Sequence, residues 1–254
     1  MKEKEKLQQN TLTIYDISEK AGVSIATVSR VLNGSRKVSP ATKEKVLEII
    51  KACGYEPNVF ARGLGTGTMK TIGILCADVA DLYLANAVSF LERELRQHGF
   101  ESLLSCTGSE YQDKLSCMRM MESRKVDAII MVGSHYVEAS AKRNKYITDT
   151  ADRIPVMLLN GFLKADNIFC NLSDDYGAFF EATALLAEQG KKKIAFLFRE
   201  ATYSAKLKKA GYMDALKEYG LADTEELVFQ SKNKIQDVKL DMETFFNANP
   251  DVDA

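Results

Sequence analysis

Apolar positions in the first part of the chain recur at a helical period. In IYDISEKA, Ile14, Ile17 and Ala21 fall on one stripe, and Gly22 follows where a tight turn disfavours a Cβ. Val23 plugs the angle of that turn, and Ser24 is a good N-cap for a second helix striped by Val28, Val31 and Leu32. Asn33-Gly34 stops the second helix. Ser39-Pro40 opens a third helix, with proline in the first turn, where its missing N–H costs nothing. That helix buries Val46, Ile49, Ile50 and Cys53 and ends at Gly54. Two helices joined by a short glycine turn and braced by a third make a helix-turn-helix unit.

The polar side of the second helix holds an anomaly. Ile25 and Ala26 stand there beside Ser29, Arg30 and Asn33. A stray exposed apolar residue is common on surfaces. In a helix-turn-helix unit, however, the second helix enters the DNA major groove with its first residues at the base edges. There Ile25 and Ala26 suit a thymine methyl, and Arg30 can donate twice to guanine O6 and N7. Ser24, Thr27, Ser29, Asn33, Lys37 and Thr42 are donors or a cation placed for phosphates, which set register without reading sequence. Thr13 and Tyr55 complete the DNA-contact candidates of this unit.

Beyond residue 70 the pattern changes to short apolar runs alternating with amphipathic stretches. Strands are predicted at Thr71–Ala77, 100–106, Val126–Gly133, a run ending at Asn160, and Lys192–Phe198. Helices are predicted at Leu82–His98, Asp113–Ser123, Asp175–Gln189 and Ser204–Tyr219. Such alternation implies a parallel sheet with both faces covered. Ligands of such sheets sit off the carboxyl ends of the strands. This rule picks out Asp78, Asp81 and Tyr83, then Ser134, Asn160 and the Arg199–Lys208 region. Tyr83 and Phe162 supply aromatic faces for a hydroxylated ligand.

Charge sharpens the division. Residues 1–70 hold twelve basic and seven acidic side chains, +5, and the remaining 22 basic and 28 acidic leave −6. A basic head on an acidic body fits nucleic-acid contact confined to the head. The five cysteines are spread without a C-x-x-C pair, which favours free thiols in a reducing cytosol over disulfides or zinc. Two histidines are too few for a histidine metal cluster, and no metal or cofactor is expected. No apolar run approaches the roughly 18 residues of a membrane span. The charged N-terminus lacks a secretory core, so a cytoplasmic, nucleoid-associated protein is expected.

The segments TIYDISEKAGVSIATVSRVLNG, VSPATKEKVLEIIKACGYEPN and VFARGLGTG, followed by TIGIL, resemble the lactose-repressor (LacI) family of bacterial regulators. The resemblance covers nearly the whole chain. It implies a helix-turn-helix head (1–56), a hinge (57–70) and a two-lobed sensor resembling periplasmic sugar-binding proteins (71–171 and 172–254). It further implies a homodimer on a pseudo-palindromic double-stranded DNA operator, acting as a regulator, most simply a repressor. A small effector, a sugar or sugar phosphate, would bind between the lobes. In the hinge, Leu64 matches the residue that wedges between base pairs and kinks the duplex, with Asn58, Ala61 and Arg62 at neighbouring contact positions. Gly65 stands where many relatives have alanine and weakens the hinge helix further. Lys208 replaces an arginine that clamps ligand hydroxyls in many relatives, losing the planar fork, and Asn160 stands where some have aspartate.

NPDVDA (Asn249–Ala254) echoes KVDAIIMV at 125–132, where VDA leads into a strand. Relatives continue past this point, so a C-terminally truncated member is expected, with an incomplete second lobe and weak or absent effector binding. Three other readings remain. One is a sensor whose head no longer binds DNA specifically; another is an effector-insensitive DNA binder. An enzyme is disfavoured. No G-x-G-x-x-G follows the first strand, no phosphate-cradling G-x-x-x-x-G-K-[ST] is present, and neither histidine sits in a nucleophile arrangement. GLGTGT at 63–68 precedes that strand rather than following it. Leu64→Ala is expected to weaken operator affinity sharply while leaving non-specific binding nearly intact. Filter binding on operator and scrambled duplexes checks this, and equal losses on both refute the wedge.

Overall fold

The computed structural model describes residues 12–55, 67–221, 225–231 and 235–254. The hinge candidates Asn58, Ala61, Arg62 and Leu64, with Gly63 and Gly65, lie outside these residues. The chain divides into two compact units, 1–70 and 71–254.

The first unit contains α1 (Ile14–Ala21), α2 (Ile25–Leu32) and α3 (Pro40–Cys53). The Thr13 N–H and hydroxyl both donate to the Asp16 carboxylate at 2.7 Å, closing the start of α1. The same hydrogen bonds hold the Asp16 carboxyl below the usual carboxylate range. α2 and α3 use one device: the Ser24 and Ser39 hydroxyls accept the N–H groups of Thr27 and Thr42 at 3.2 and 3.3 Å. Between α1 and α2, Gly22 sits at φ 63°, and the Val23 N–H reaches back to the Ser18 carbonyl at 3.1 Å. Ile17, Ala21, Val28, Val31, Val46 and Tyr55 form the buried core of the unit.

The second unit begins with β1 (Thr71–Cys76), α4 (Leu82–Gln97), β2 (Glu101–Cys106), α5 (Tyr111–Ser123) and β3 (Ala128–Val132). α6 (Lys145–Ala151), β4 (Val156–Leu159) and β5 (Ile168–Asn171) follow. These strands form one parallel sheet in the order β2-β1-β3-β4-β5. Alternate side chains serve opposite faces. Leu75, Ile129, Met131 and Leu158 pack with Met118, Met121 and Ile147 of α5 and α6, whereas Ile72, Ile74, Ile130 and Val132 pack with Leu84 of α4.

α7 (Asp175–Glu188), β6 (Phe196–Phe198), α8 (Tyr203–Glu218), a 3-10 turn (Glu225–Leu227), β7 (Val228–Gln230) and α9 (Ile235–Ala248) complete the described elements. β6 and β7 pair in parallel, and Phe196 of β6 is buried in one cluster with Ile194, Tyr212 and Leu216. The strand predicted over Lys192–Phe198 ladders with β7 only from Phe196, because β7 is three residues long. Residues 193–195 pair instead with the VDA segment: the Asp253 N–H donates to the Lys193 carbonyl at 3.0 Å, and the Ala195 N–H to the Ala254 carbonyl at 2.7 Å. The hydropathy pattern does not predict α6, β5, β7 or α9.

α7 and α8 approach so closely that a Cβ on Gly211 would stand 2.2 Å from the Tyr176 carbonyl oxygen and 3.0 Å from the Phe180 nitrogen. Both atoms are backbone, so relief requires moving a helix. Gly211→Ala is expected to destabilise the second unit by about 1–3 kcal/mol, overpacking outweighing the gain of roughly 1 kcal/mol in helix propensity. Urea denaturation followed by circular dichroism measures this; unchanged or increased stability contradicts the close approach.

Candidate functional site

Two sites emerge, one in each unit. On α2, Ile25 is 38% exposed, and Ala26, Arg30 and the C-cap residue Asn33 are exposed as well. Val28 and Val31 on the other side are buried, so the helix offers a separate outward face. Ser24 is exposed, with its hydroxyl 2.9 Å from that of the half-buried Thr27. Ser29 and Thr42 are half-buried and Lys37 is exposed. Thr13 is exposed but committed to Asp16. Tyr55 differs from the rest of its group: its ring belongs to the core of the head rather than to the outward face. Tyr15, an aromatic residue on the polar side of the Ile14–Ile17 stripe, is 68% exposed in the first turn of α1.

In the second unit a cavity of about 850 Å³ opens at the carboxyl ends of the strands. Asp78, Asp81, Tyr83, Ser134, Asn160 and Lys208, the six ligand candidates, all border it, as does Arg199. Each arrives by a simple route. Asp78 and Asp81 follow β1, and Asp81 caps α4 by accepting the Tyr83 and Leu84 N–H groups at 2.9 and 3.2 Å. Its other carboxylate oxygen faces Arg199 Nη1, beyond β6, at 3.7 Å. Asn160 follows β4 at φ 59°; its amide nitrogen donates to the Tyr83 hydroxyl at 3.1 Å, and its oxygen accepts from the Ser173 hydroxyl at 2.9 Å. Lys208 on α8 lies 3.7 Å from the largely buried Asp175 carboxylate and 5.5 Å above the Phe179 ring.

Phe162 does not border the cavity; Phe179, Phe196 and Phe198 supply its aromatic surface together with Tyr83. Phe179 lies inside a helix, where its spacing marks only core, and so carries no signal for a site. His135 is a second missed residue. It borders the cavity with its ring centroid 4.0 Å from that of Tyr136, and its Nε2 is buried without a hydrogen-bond partner among the described residues. Behind it, the buried Lys114 donates to the His135 carbonyl at 2.6 Å and to Glu138 Oε1 at 3.2 Å. Burial, assisted by the Lys114 charge, pushes the His135 imidazole down to about 4. The ring is therefore neutral at neutral pH. Among the described residues no cluster of three or more potential metal ligands occurs, and no helix is long and apolar enough to cross a membrane.

Comparisons with known proteins match both units. Residues 13–58 fit the family model "Bacterial regulatory proteins, lacI family", and residues 69–254 fit "Periplasmic binding proteins and sugar binding domain of LacI family". An HTH-type transcriptional regulator of Lachnoclostridium phytofermentans is 50% identical over 228 residues, covering 90% of this chain and 68% of that protein. Among solved structures, the lac repressor dimer bound to operator and the anti-inducer ONPF aligns with TM-score 0.78 at 22% identity, over 94% of this chain and 71% of that one. A complex of the transcriptional regulator CelR with cellobiose aligns with TM-score 0.61 at 24% identity, over 95% and 72%. The last two likenesses concern the fold.

The neutral His135 has a consequence for stability. Its ordinary value of 6.5 applies in the unfolded chain, which therefore binds more protons than the native state between about pH 4 and 6.5. Stability from this group is present above pH 6.5 and lost as pH falls towards 4, a change on the order of 3 kcal/mol when complete. Urea midpoints at pH 7 and pH 5 measure it. The fall expected in the wild type shrinks in His135→Gln, and an equal fall in both proteins refutes the assignment.

Proposed function

The chain belongs to the lacI family of bacterial regulatory proteins, and from that premise we propose that it is a cytoplasmic repressor, not an enzyme, reading its operator through α2 and released or engaged by a sugar-like effector. The observation that carries this reading is the outward face of α2, where Ile25, Ala26 and Arg30 stand clear of the core at the leading end of a capped helix. Ile25 and Ala26 meet thymine methyl groups, Arg30 reads a guanine, and the hydroxyl and amide groups around them take phosphates. Two copies supply the two-fold symmetry of a pseudo-palindromic site. Head, hinge and two sensor lobes, 1–56, 57–70, 71–171 and 172–254, are the proposed division of labour. The proposed hinge contacts are Asn58, Ala61, Arg62 and Leu64.

The cavity supports a hydroxylated effector. Carboxylates, an amide and a lysine converge there with the rings of Tyr83, Phe179, Phe196 and Phe198, the combination that binds both the polar rim and the apolar face of a sugar. Asp78, Asp81, Ser134 and Lys208 are the proposed hydroxyl or phosphate partners. Tyr83 is held by Asn160 to offer its ring.

Selection of bound duplexes from a random pool, with and without cellobiose as a probe sugar, tests the reading. A palindromic consensus is expected. Arg30→Ala should lose about 1–3 kcal/mol of discrimination at one guanine per half-site while keeping its preference elsewhere. No enrichment over the starting pool contradicts operator recognition by this head.

A further inference from the structure

β1 and β2 each end on a cysteine, and their register sets Cys76 opposite Cys106. Register partners on neighbouring strands lie about 4.8 Å apart and project side chains to the same face. The two sulfurs accordingly stand 4.0 Å from each other. A Cα separation of that size falls within the roughly 4.4–6.8 Å found for disulfides. Bond formation needs a turn of both side chains and a small approach of the strands, not a rearrangement of the sheet. We propose that Cys76 and Cys106 are a reversible dithiol–disulfide pair, a modification site at the rim of the cavity.

The two thiols have unequal roles. Cys106 is exposed and meets the oxidant; Cys76 is buried, and burial together with the neighbouring Cys106 pushes its thiol up to about 12. With oxidised glutathione as the oxidant, the Cys106 thiolate attacks one glutathione sulfur, the glutathione S–S bond breaks, and one glutathione thiolate leaves. Cys76, once deprotonated, attacks the Cys106 sulfur and expels the second. The two protons given up by the cysteines end on two glutathione thiols. The protein is oxidised by two electrons, and one glutathione disulfide is reduced. Because Cys76 gives up its proton reluctantly, the mixed disulfide on Cys106 precedes the internal bond. Cys117 is the nearby competitor, but its sulfur contacts the Ser105 hydroxyl at 3.2 Å and the Cys106 carbonyl at 3.9 Å.

The pair sits where a small movement reaches the cavity. Ala77 and Asp78 follow Cys76, Gly108 and Ser109 lie just beyond Cys106, and all four border the cavity. Backbone hydrogen bonds lock the two segments together, Thr107 N–H to the Cys76 carbonyl at 2.8 Å and Gly108 N–H to the Ala77 carbonyl at 2.9 Å. Drawing the sulfurs together shifts both segments at once. The assignment holds whatever the cavity binds.

Incubating the full folded chain with oxidised glutathione, alkylating the remaining thiols and mapping the peptides by mass tests the proposal. The expected product links Cys76 to Cys106, leaves Cys53, Cys117 and Cys170 alkylated, and reverts with dithiothreitol. C106S should abolish the link, C76S and its companion C76A should stop at a glutathione adduct on Cys106, and C117S should leave the link intact. A thermal melt by circular dichroism establishes that each variant is folded. Linkage of Cys106 to Cys117 or to a second chain, a wild type arrested at the adduct, or equal formation of the link in urea-unfolded chain overturns it.

Discussion

The cavity depends on the register between β1 and β3. Asp127, just before β3, sets it from both sides: its N–H donates to the Thr71 carbonyl at 2.8 Å, and its carboxylate accepts the Thr71 N–H at 3.1 Å. From that clamp the ladder runs Ile72 to Ala128 through Cys76 to Val132, bringing Asp78 and Ser134 out at one end of the sheet. A slip by one residue would turn every side chain over, carrying Ile129 and Met131 away from α5 and α6 and disordering the rim as well as the core. The echo between the two VDA segments has its physical meaning here. Asp253 repeats the device beside β6, its N–H donating to Lys193 and its carboxylate accepting the Lys192 and Lys193 N–H groups at 2.9–3.2 Å. Those backbone hydrogen bonds hold the Asp253 carboxyl below the usual carboxylate range.

The head was legible almost to the residue because its signals are local. Ser24, Ser39 and Gly22 each act within a few residues of themselves, so the sequence states both the cap and the turn. Tyr55 shows where local signals stop: an aromatic ring with a polar tip suits either a core or an interface, and here packing puts the ring in the core. In the second unit, strands buried on both faces announce themselves as continuous apolar runs. β5 does not: IFCN is an edge strand that alternates half-buried and exposed positions. α6 escaped for the opposite reason. KYITDTA is short and β-branched, and its helix is held by burial of Tyr146, Ile147, Thr150 and Ala151 against the sheet rather than by propensity.

The cavity residues divide in the same way. Asp78, Asp81, Ser134 and Asn160 were found because the topology of a parallel sheet names the ends of its strands. Phe179 and His135 were not, since each depends on neighbours remote in sequence: Phe179 on Lys208 of α8, and His135 on the buried Lys114 of α5. A solitary histidine in an apolar neighbourhood carries no signal until its unpartnered nitrogen and the charge behind it are seen together.

The charged groups of the cavity are arranged so that partner exchange costs little. Arg199 and Asp81 meet at 3.7 Å with side chains 56% and 33% exposed, a pairing worth at most about 1 kcal/mol. Asp81 nevertheless stays in place without it, because its cap on α4 uses its other oxygen. Loss of the Arg199 contact therefore leaves the helix that positions Tyr83 undisturbed. Lys208 differs: Asp175 is largely buried, and removing its counter-charge leaves a buried carboxylate uncompensated. Lys208 is placed from two sides, by the Asp175 carboxylate at 3.7 Å and over the Phe179 ring at 5.5 Å. The two pairs thus give the cavity one loosely held contact, Asp81 with Arg199, and one fixed contact, Lys208 with Asp175.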